Sequence, residues 1–472
     1  MADLNYEELG LKCGVEIHQQ LEGCKLFCNC PTIIRKENPN FKVIRRLRAS
    51  AGEEGKVDQA ALHEQKKHKH FIYEGYNDIN CEVELDECPP LPVNQAALRT
   101  ALQVAKMTNC EIMDEIQVMR KTVIDGSNTS GFQRTMLIGM NGSIDVNGKK
   151  IRVGSVCLEE EACQIIDRTR DYDEYNLSRL GIPLIEINTE PDIKMPEEAK
   201  EVCAKIGMIL RSTGACKRGI GSIRQDINLS IKGGERVEIK GFQELKSIQK
   251  IMDYEIKRQQ RLLREGKHFE AEVRKAESDL TTSYLRPMPG MDRMYPETDI
   301  PPIIPDTSDI KAVQTIEDKT LELAKTYELS HELASQIVKD DINFDDYVNK
   351  YKSLKAKFIA ETLINAPKEI KTRFKKDIDV FKHANEIFAK ADKGEIPLSA
   401  VFEILSEIAH GKKPDYDKYK GMNDAELEDE IARLIKENKE ASINALMGML
   451  MAKHRGKVDG KKAMELLNKH KK

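Results

Sequence analysis

Acidic side chains keep unusual company in this sequence. In "GVEIHQQL" (14–21), alternation puts Val15, Ile17 and Leu21 on one side of a strand and Glu16, His18 and Gln20 on the other. A carboxylate and an imidazole thus share a face beside residues that expect burial, where a charge is seldom found without a partner. "VGSVCLEEEACQII" (153–166) repeats the pattern, with Glu159, Glu160 and Glu161 among Val, Cys, Leu, Ala and Ile. In "GIPLIEINTEPDI" (181–193), Leu184, Glu186 and Asn188 share one face and Ile185 and Ile187 the other. A hairpin, "IRQDINLSIKGGERVEIKGF", carries Arg224, Asp226, Asn228 and Ser230 on the polar face of its first strand. Arg236, Glu238 and Lys240 follow on the second. Keeping its apolar faces together sets Ile231 opposite Val237 across a three-residue loop, Gly233–Glu235. That register pairs Ser230 with Glu238 and Asn228 with Lys240.

Several carboxylates and one imidazole on buried strands repel one another unless a cation lies among them. Such a donor set suits Mg²⁺ or Mn²⁺ rather than a thiol-preferring metal. Mg²⁺ usually binds through few protein carboxylates together with nucleotide phosphates. The expected chemistry is therefore phosphoryl transfer, where catalysis is positioning and charge neutralisation. Each segment alone has a plainer reading. A polar hairpin face is commonly solvated, with cross-strand ion pairs worth roughly 0.2–1 kcal/mol each, and a lone strand histidine is commonly structural. No GxxxxGK[ST] loop is present, so a nucleotide site here is of an uncommon kind. No Cys–His–Asp or Ser–His–Asp order supports nucleophilic catalysis.

The 11 cysteines are scattered, which in a reducing compartment means buried thiols or metal ligands. "CNC" (Cys28, Cys30) and "CEVELDEC" (Cys81, Cys88) bring four thiols within reach of a structural zinc, although the spacing is not a standard zinc pattern. Reduced core thiols are the other reading.

The elements that must position these residues change character near residue 303. Before it, short alternating segments are broken by Gly, Pro, Asn and Asp, with helical periodicity at 94–110, 195–214 and 247–267. This is an α+β pattern with a largely antiparallel sheet, a first domain over residues 1–303. After "PPIIPD" strand signals vanish, and amphipathic helices follow, with Ser308 and Asp309 as candidate N-caps. A helical domain over 304–412, a polar linker at 410–424 and a small helical tail domain over 413–472 complete the expected organisation. At 472 residues the chain has room for about three domains. No stretch approaches the roughly 20 apolar residues of a membrane span, and the start shows no signal-peptide pattern, so the expected compartment is the cytoplasm. Net charge is −4, yet the last 20 residues hold eight Lys or Arg against two acids. That basic end is either a solvated terminus or a phosphate-contacting patch.

These segments resemble a known family. "GVEIHQQLEGCKLFCNCP", "VCLEEEACQ", "YNLSRLGIPLIEINTEPDI", "SIRQDINLSI" and "LMGMLMAKHRGKVD" occur in the order and spacing of the B/E subunits of tRNA-dependent amidotransferases. "VELDECPPLP", "DGSNTSGFQRT" and "YLRPMPGMDRMYPETDIPPI" look like the archaeal E branch. That branch usually holds an insertion resembling an aspartyl-tRNA synthetase domain. Here the chain runs straight through "LLREGKHFEAEVRK" (262–275), where it would fall. The resemblance implies a kinase and transamidase subunit. It phosphorylates the glutamyl side chain of Glu-tRNA(Gln) with ATP and Mg²⁺. Ammonia from an asparaginase-like partner, the D subunit, then displaces phosphate to give Gln-tRNA(Gln) in a hetero-oligomer. By position it implies a metal and catalytic cluster of Glu16, His18, Glu159 or Glu160, and Glu186. It implies nucleotide-proximal roles for Arg224, Asp226, Asn228, Glu238 and Lys240, and a tRNA-contacting tail with Lys453, Arg455 and Lys457. Two rivals stand beside this reading: a bacterial-type B subunit with an amidase partner, also accepting Asp-tRNA(Asn), and a zinc-stabilised RNA-binding scaffold without chemistry.

Overall fold

Period-two alternation builds the centre of the molecule. The computed structural model describes residues 5–470 apart from 50–54, 56, 58, 243, 289–293, 420–423, 439–440, 455–457 and 459. Its strands are β1 (Lys12–Gln20), β2 (Phe41–Arg45), β3 (His70–Gly75), β4 (Glu111–Ile112), β5 (Val118–Thr122), β6 (Phe132–Val146), β7 (Lys149–Glu160) and β8 (Gln164–Arg168). They continue as β9 (Tyr172–Asn176), β10 (Pro183–Thr189), β11 (Ile223–Ser230), β12 (Val237–Phe242), β13 (Glu272–Ala276), β14 (Thr282–Pro287) and β15 (Met294–Pro296). An 11-stranded sheet runs β14-β13-β12-β11-β1-β10-β7-β6-β5-β15, with β4 beside β6. Its pairs are antiparallel except β12–β13. A second sheet runs β2-β3-β9-β8. This is the α+β, largely antiparallel architecture expected from the sequence.

Helices cover one face of the large sheet. After α1 (Gln59–Gln65) come α2 (Gln95–Met107), α3 (Pro196–Ser212) and α4 (Ile248–Arg264), which lie within the three periodic segments of the sequence. Asn94 caps α2 by accepting from the amides of Ala96 and Ala97. The helices' apolar stripes share one core with Val15, Ile17, Ile185, Ile187, Val156, Ile227 and Ile239. Burying that face leaves the alternate residues of the same strands on the opposite one.

Close backbone approach is needed at the centre. A Cβ on Gly14 would sit 2.8 Å from the carbonyl oxygen of Thr189, where the β10–β7 register shifts past the extra residue Gly154 of β7. Glycine at position 14 leaves room for the Thr189 backbone, and the Thr189 hydroxyl accepts from Val15 N at 2.9 Å.

The hairpin differs from its expected register. Val237 faces Leu229, not Ile231, so Asn228 meets Glu238. Ile231 leaves the strand to bury its side chain, and Lys232 N donates to Leu9 O at 2.9 Å. The shift is two residues, so the polar face keeps its members but changes their neighbours.

The chain divides into two compact units, residues 1–315 and 316–472. The second contains α5 (Ile316–Thr326), α6 (His331–Lys339), α7 (Phe344–Lys350), α8 (Ala356–Phe374), α9 (Phe381–Asp392), α10 (Ala400–Ala409), α11 (Asp424–Glu437), α12 (Ile443–Lys453) and α13 (Gly460–His470). Leu329–Tyr419 and Leu427–Leu467 bound two separate apolar clusters within it. Ser308 and Asp309 do not cap a helix. Asp306 accepts from the Ser308 amide and hydroxyl, closing a turn, and helix begins only at Ile316.

Candidate active site

β1 lies between β10 and β11, so its cleft-facing residues meet both neighbours. Glu16 is opposite Asn188 and Asp226, and His18 is opposite Glu186 and Arg224. β7 brings Glu159, opposite Leu184, and β12 brings Glu238 and Lys240. All line one cleft of about 970 Å³ on the face not covered by helices.

Three cations hold its acids together. His18 Nε2 is 3.2 Å from Glu16 Oε1 and 3.2 Å from Glu186 Oε2. Burial disfavours the imidazolium, but hydrogen bonds to the two carboxylates outweigh it and raise the pKa to about 10, so His18 is protonated at neutral pH. Lys121 Nζ lies 2.6 Å from Glu159 Oε1 and 4.0 Å from Glu186 Oε2. Lys240 Nζ lies 2.7 Å from Asp226 Oδ2 and 3.9 Å from Glu16 Oε1, and also pairs with Glu238. Burial opposes the charge of Glu186, yet Lys121 and His18 keep its carboxyl well below the usual range. Burial and the charge of Glu186 push Glu159 upward against Lys121. Asn188 Nδ2 donates to Glu186 at 2.6 Å and Gln133 Nε2 to Glu159 at 3.0 Å, fixing both carboxylates.

The donor chemistry fits a hard divalent cation. Ligand atoms of Glu16, His18 and Asp226 lie within 4.8 Å of one another, as do those of His18, Glu159 and Glu186. To serve as a ligand, His18 would have to give up its proton.

One sequence expectation is corrected. Glu160 is not in this cluster: alternation turns it to the other side of β7, where it pairs with Arg134 at 3.4 Å. Arg134 also donates to Glu297 at 2.8 Å. Arg224 lines the same cleft and pairs there with Glu161 at 2.9 Å, and Asn228 faces it opposite Gly14. Lys121, Gln133 and Glu161 were not assigned from sequence. Glu161 was visible in the triple-glutamate run, but Lys121 in "MRKTV" and Gln133 give no local sign of an acidic partner.

The thiols gather differently from the expected four. Cys28, Cys30, Cys81 and Glu84 place ligand atoms within 4.8 Å of one another, whereas Cys88 is exposed and outside the group. Glu84 takes its place because it receives the Cys81 amide at 2.9 Å and is held by buried Lys25 at 2.5 Å. Three thiols and a carboxylate suit zinc. In the tail, Lys453 pairs with Glu430 at 2.7 Å; Arg455 and Lys457 lie outside the described residues.

The GatB/GatE catalytic domain matches residues 11–311. The E subunit of glutamyl-tRNA(Gln) amidotransferase from Methanocaldococcus jannaschii is 36% identical, covering 99% of both chains. Its counterpart from Archaeoglobus fulgidus is 35% identical over 99% of this chain and 98% of its own. That from Saccharolobus solfataricus is 33% identical over 99% of both. The chain belongs to the GatB/GatE family. The first of these alignments spans 626 positions against a chain of 472 residues, so at least 154 of its positions have no counterpart here. At 262–275 the path is short: α4 ends at Arg264 and β13 starts at Glu272. The GatB/GatE match contains every cleft residue described above.

Proposed function

We propose that this chain is the kinase and transamidase subunit of a glutamyl-tRNA(Gln) amidotransferase. One observation carries the reading: five carboxylates from five strands meet one histidine and two lysines in a single cleft of the family's catalytic domain. ATP would supply the phosphoryl group, and Mg²⁺ held by Glu16, His18, Asp226, Glu159 and Glu186 would neutralise its charge. A carboxylate oxygen of the glutamyl side chain attacks the γ-phosphorus and ADP leaves. Ammonia then attacks the acyl carbon, phosphate departs, and the amide nitrogen loses its extra proton. Lys121 and Lys240, now tied to acids, are placed to turn toward phosphoryl oxygens as charge builds. An asparaginase-like protein is the proposed ammonia source, in a hetero-oligomer. Co-purification with an amidase instead would favour the B-type rival. Zinc at Cys28, Cys30, Cys81 and Glu84 is proposed as structural.

Glu16→Gln tests the reading. It is expected to abolish Mg²⁺-dependent formation of the γ-glutamyl phosphate while tRNA affinity stays within about twofold. Equal loss of both would make Glu16 structural. ATP turnover that ignores charged tRNA would sink the kinase reading and favour a scaffold.

A further inference from the structure

The cations lining the cleft fall into two groups. Lys121, Lys240 and Arg224 are each bound to a carboxylate. Lys12, Arg236 and Arg286 also line the cleft, yet none has an acidic partner among the described residues. Their positions follow from register. Lys12 is opposite Ser230, and Arg236 immediately precedes Val237, whose partner Leu229 neighbours Ser230. Arg286 is opposite Val273, itself opposite Glu238. Lys12 is four residues from Glu16 along β1, about 13 Å at roughly 3.3 Å per residue. Between the acidic and basic ends the floor is made of Gly14, Asn228 and Ser230. Two guanidiniums without an acidic partner among the described residues, and a lysine, beside an acid-rich, metal-suited end form a trough with charge complementary to an extended polyphosphate carrying a divalent cation.

We infer that Arg236 and Arg286, with Lys12 beside them, bind the α- and β-phosphates of the nucleotide and so set the direction in which its γ-phosphate points toward Glu16 and Glu186. The arginine fork suits phosphate oxygens geometrically as well as electrostatically. This assignment rests on the kinase reading proposed above. RNA phosphodiesters of the acceptor end carry the same chemistry, and the test separates the two sources.

Arg236→Gln and Arg286→Gln are prepared separately in the complete complex with the ammonia-supplying partner. ADP affinity is measured by equilibrium dialysis with Mg²⁺, and KM is measured for ATP and for Glu-tRNA(Gln). Each variant is expected to weaken ADP binding and raise KM for ATP by roughly tenfold, with KM for the charged tRNA within twofold. Arg286→Lys recovers part of the loss. Unchanged ADP affinity in both glutamine variants overturns the inference. A raised KM for Glu-tRNA(Gln) with unchanged ADP affinity assigns the cations to RNA and overturns it equally. Should the wild-type complex bind no ADP, the kinase reading fails with it, and that result is distinct from a defect confined to the variants. Arg236 is exposed, so its variant keeps the wild-type melting temperature and remains informative if Arg286→Gln misfolds.

Discussion

Neighbouring glutamates divide between two jobs because a strand turns successive side chains to opposite faces. Glu159 faces Lys121 and Gln133 in the cleft, while Glu160 faces Arg134 and the core. Glu159→Gln is therefore expected to lower the proposed phosphoryl transfer by roughly a hundredfold or more, with little change in stability. Glu160→Gln is expected to cost about 1–3 kcal/mol of stability, by weakening the carboxylate partner of a buried guanidinium, with less effect on turnover per folded molecule. Comparing denaturant midpoints with turnover of folded protein checks both, and a swap of the two phenotypes would refute the assignment. Sequence could name the run but not choose within it, since three consecutive glutamates satisfy either parity. The same holds for the thiols. Cys88 matched by residue type, yet the backbone at Cys81 delivers Glu84 instead.

Strands and their faces were legible from alternation; their meeting was not. Glu16, Glu159, Glu186 and Asp226 lie as much as 210 positions apart, and only the order β11-β1-β10-β7 brings them together. The hairpin shows how such inference fails. The parity holds, but local loop chemistry does not show that Ile231 and Lys232 answer to the core and to Leu9. The β15 edge has its own clamp. Glu297, just past β15, is fully buried between Arg120 at 2.6 Å and Arg134 at 2.8 Å. Burial disfavours its charge, but Arg120, the Asp299 amide and Arg134 outweigh it and lower the pKa from 4.5 to about 2. A carboxylate depressed on folding adds stability above its unfolded pKa and loses it as pH falls toward the folded one. The expected contribution is on the order of 3 kcal/mol at neutral pH, with about 2 kcal/mol of it gone by pH 3. Urea titrations at pH 5 and pH 3 should thus show a steeper loss for wild type than for Glu297→Gln. Parallel losses would mean that Glu297 does not carry this linkage.

On the scale of the whole chain, the basic end looks different once α11 is counted. The final 20 residues carry a local excess of positive charge, but residues 424–472 hold 11 Lys or Arg and 9 Asp or Glu, a net of +2. Glu430 and Glu428 on α11 pair with Lys453 and Lys469. Folding therefore spends part of the apparent patch internally, which a linear reading of the sequence does not reveal. Helices α11, α12 and α13 share one apolar cluster, so cutting at residue 443 would expose Leu427, Ile431 and Leu434, and the clean deletion removes 424–472 entire. If these helices contact the proposed tRNA, their loss removes few phosphate contacts. The slope of log K against log salt should flatten by roughly 1–3 units, at about 0.7–0.9 per contact, while ATP turnover on saturating Glu-tRNA(Gln) persists. Filter binding of tRNA across a salt series, with full-length and truncated complexes, measures this. An unchanged slope would place all RNA contacts elsewhere, and a flattening of six or more would mean that the α11 pairs open to release their lysines on binding.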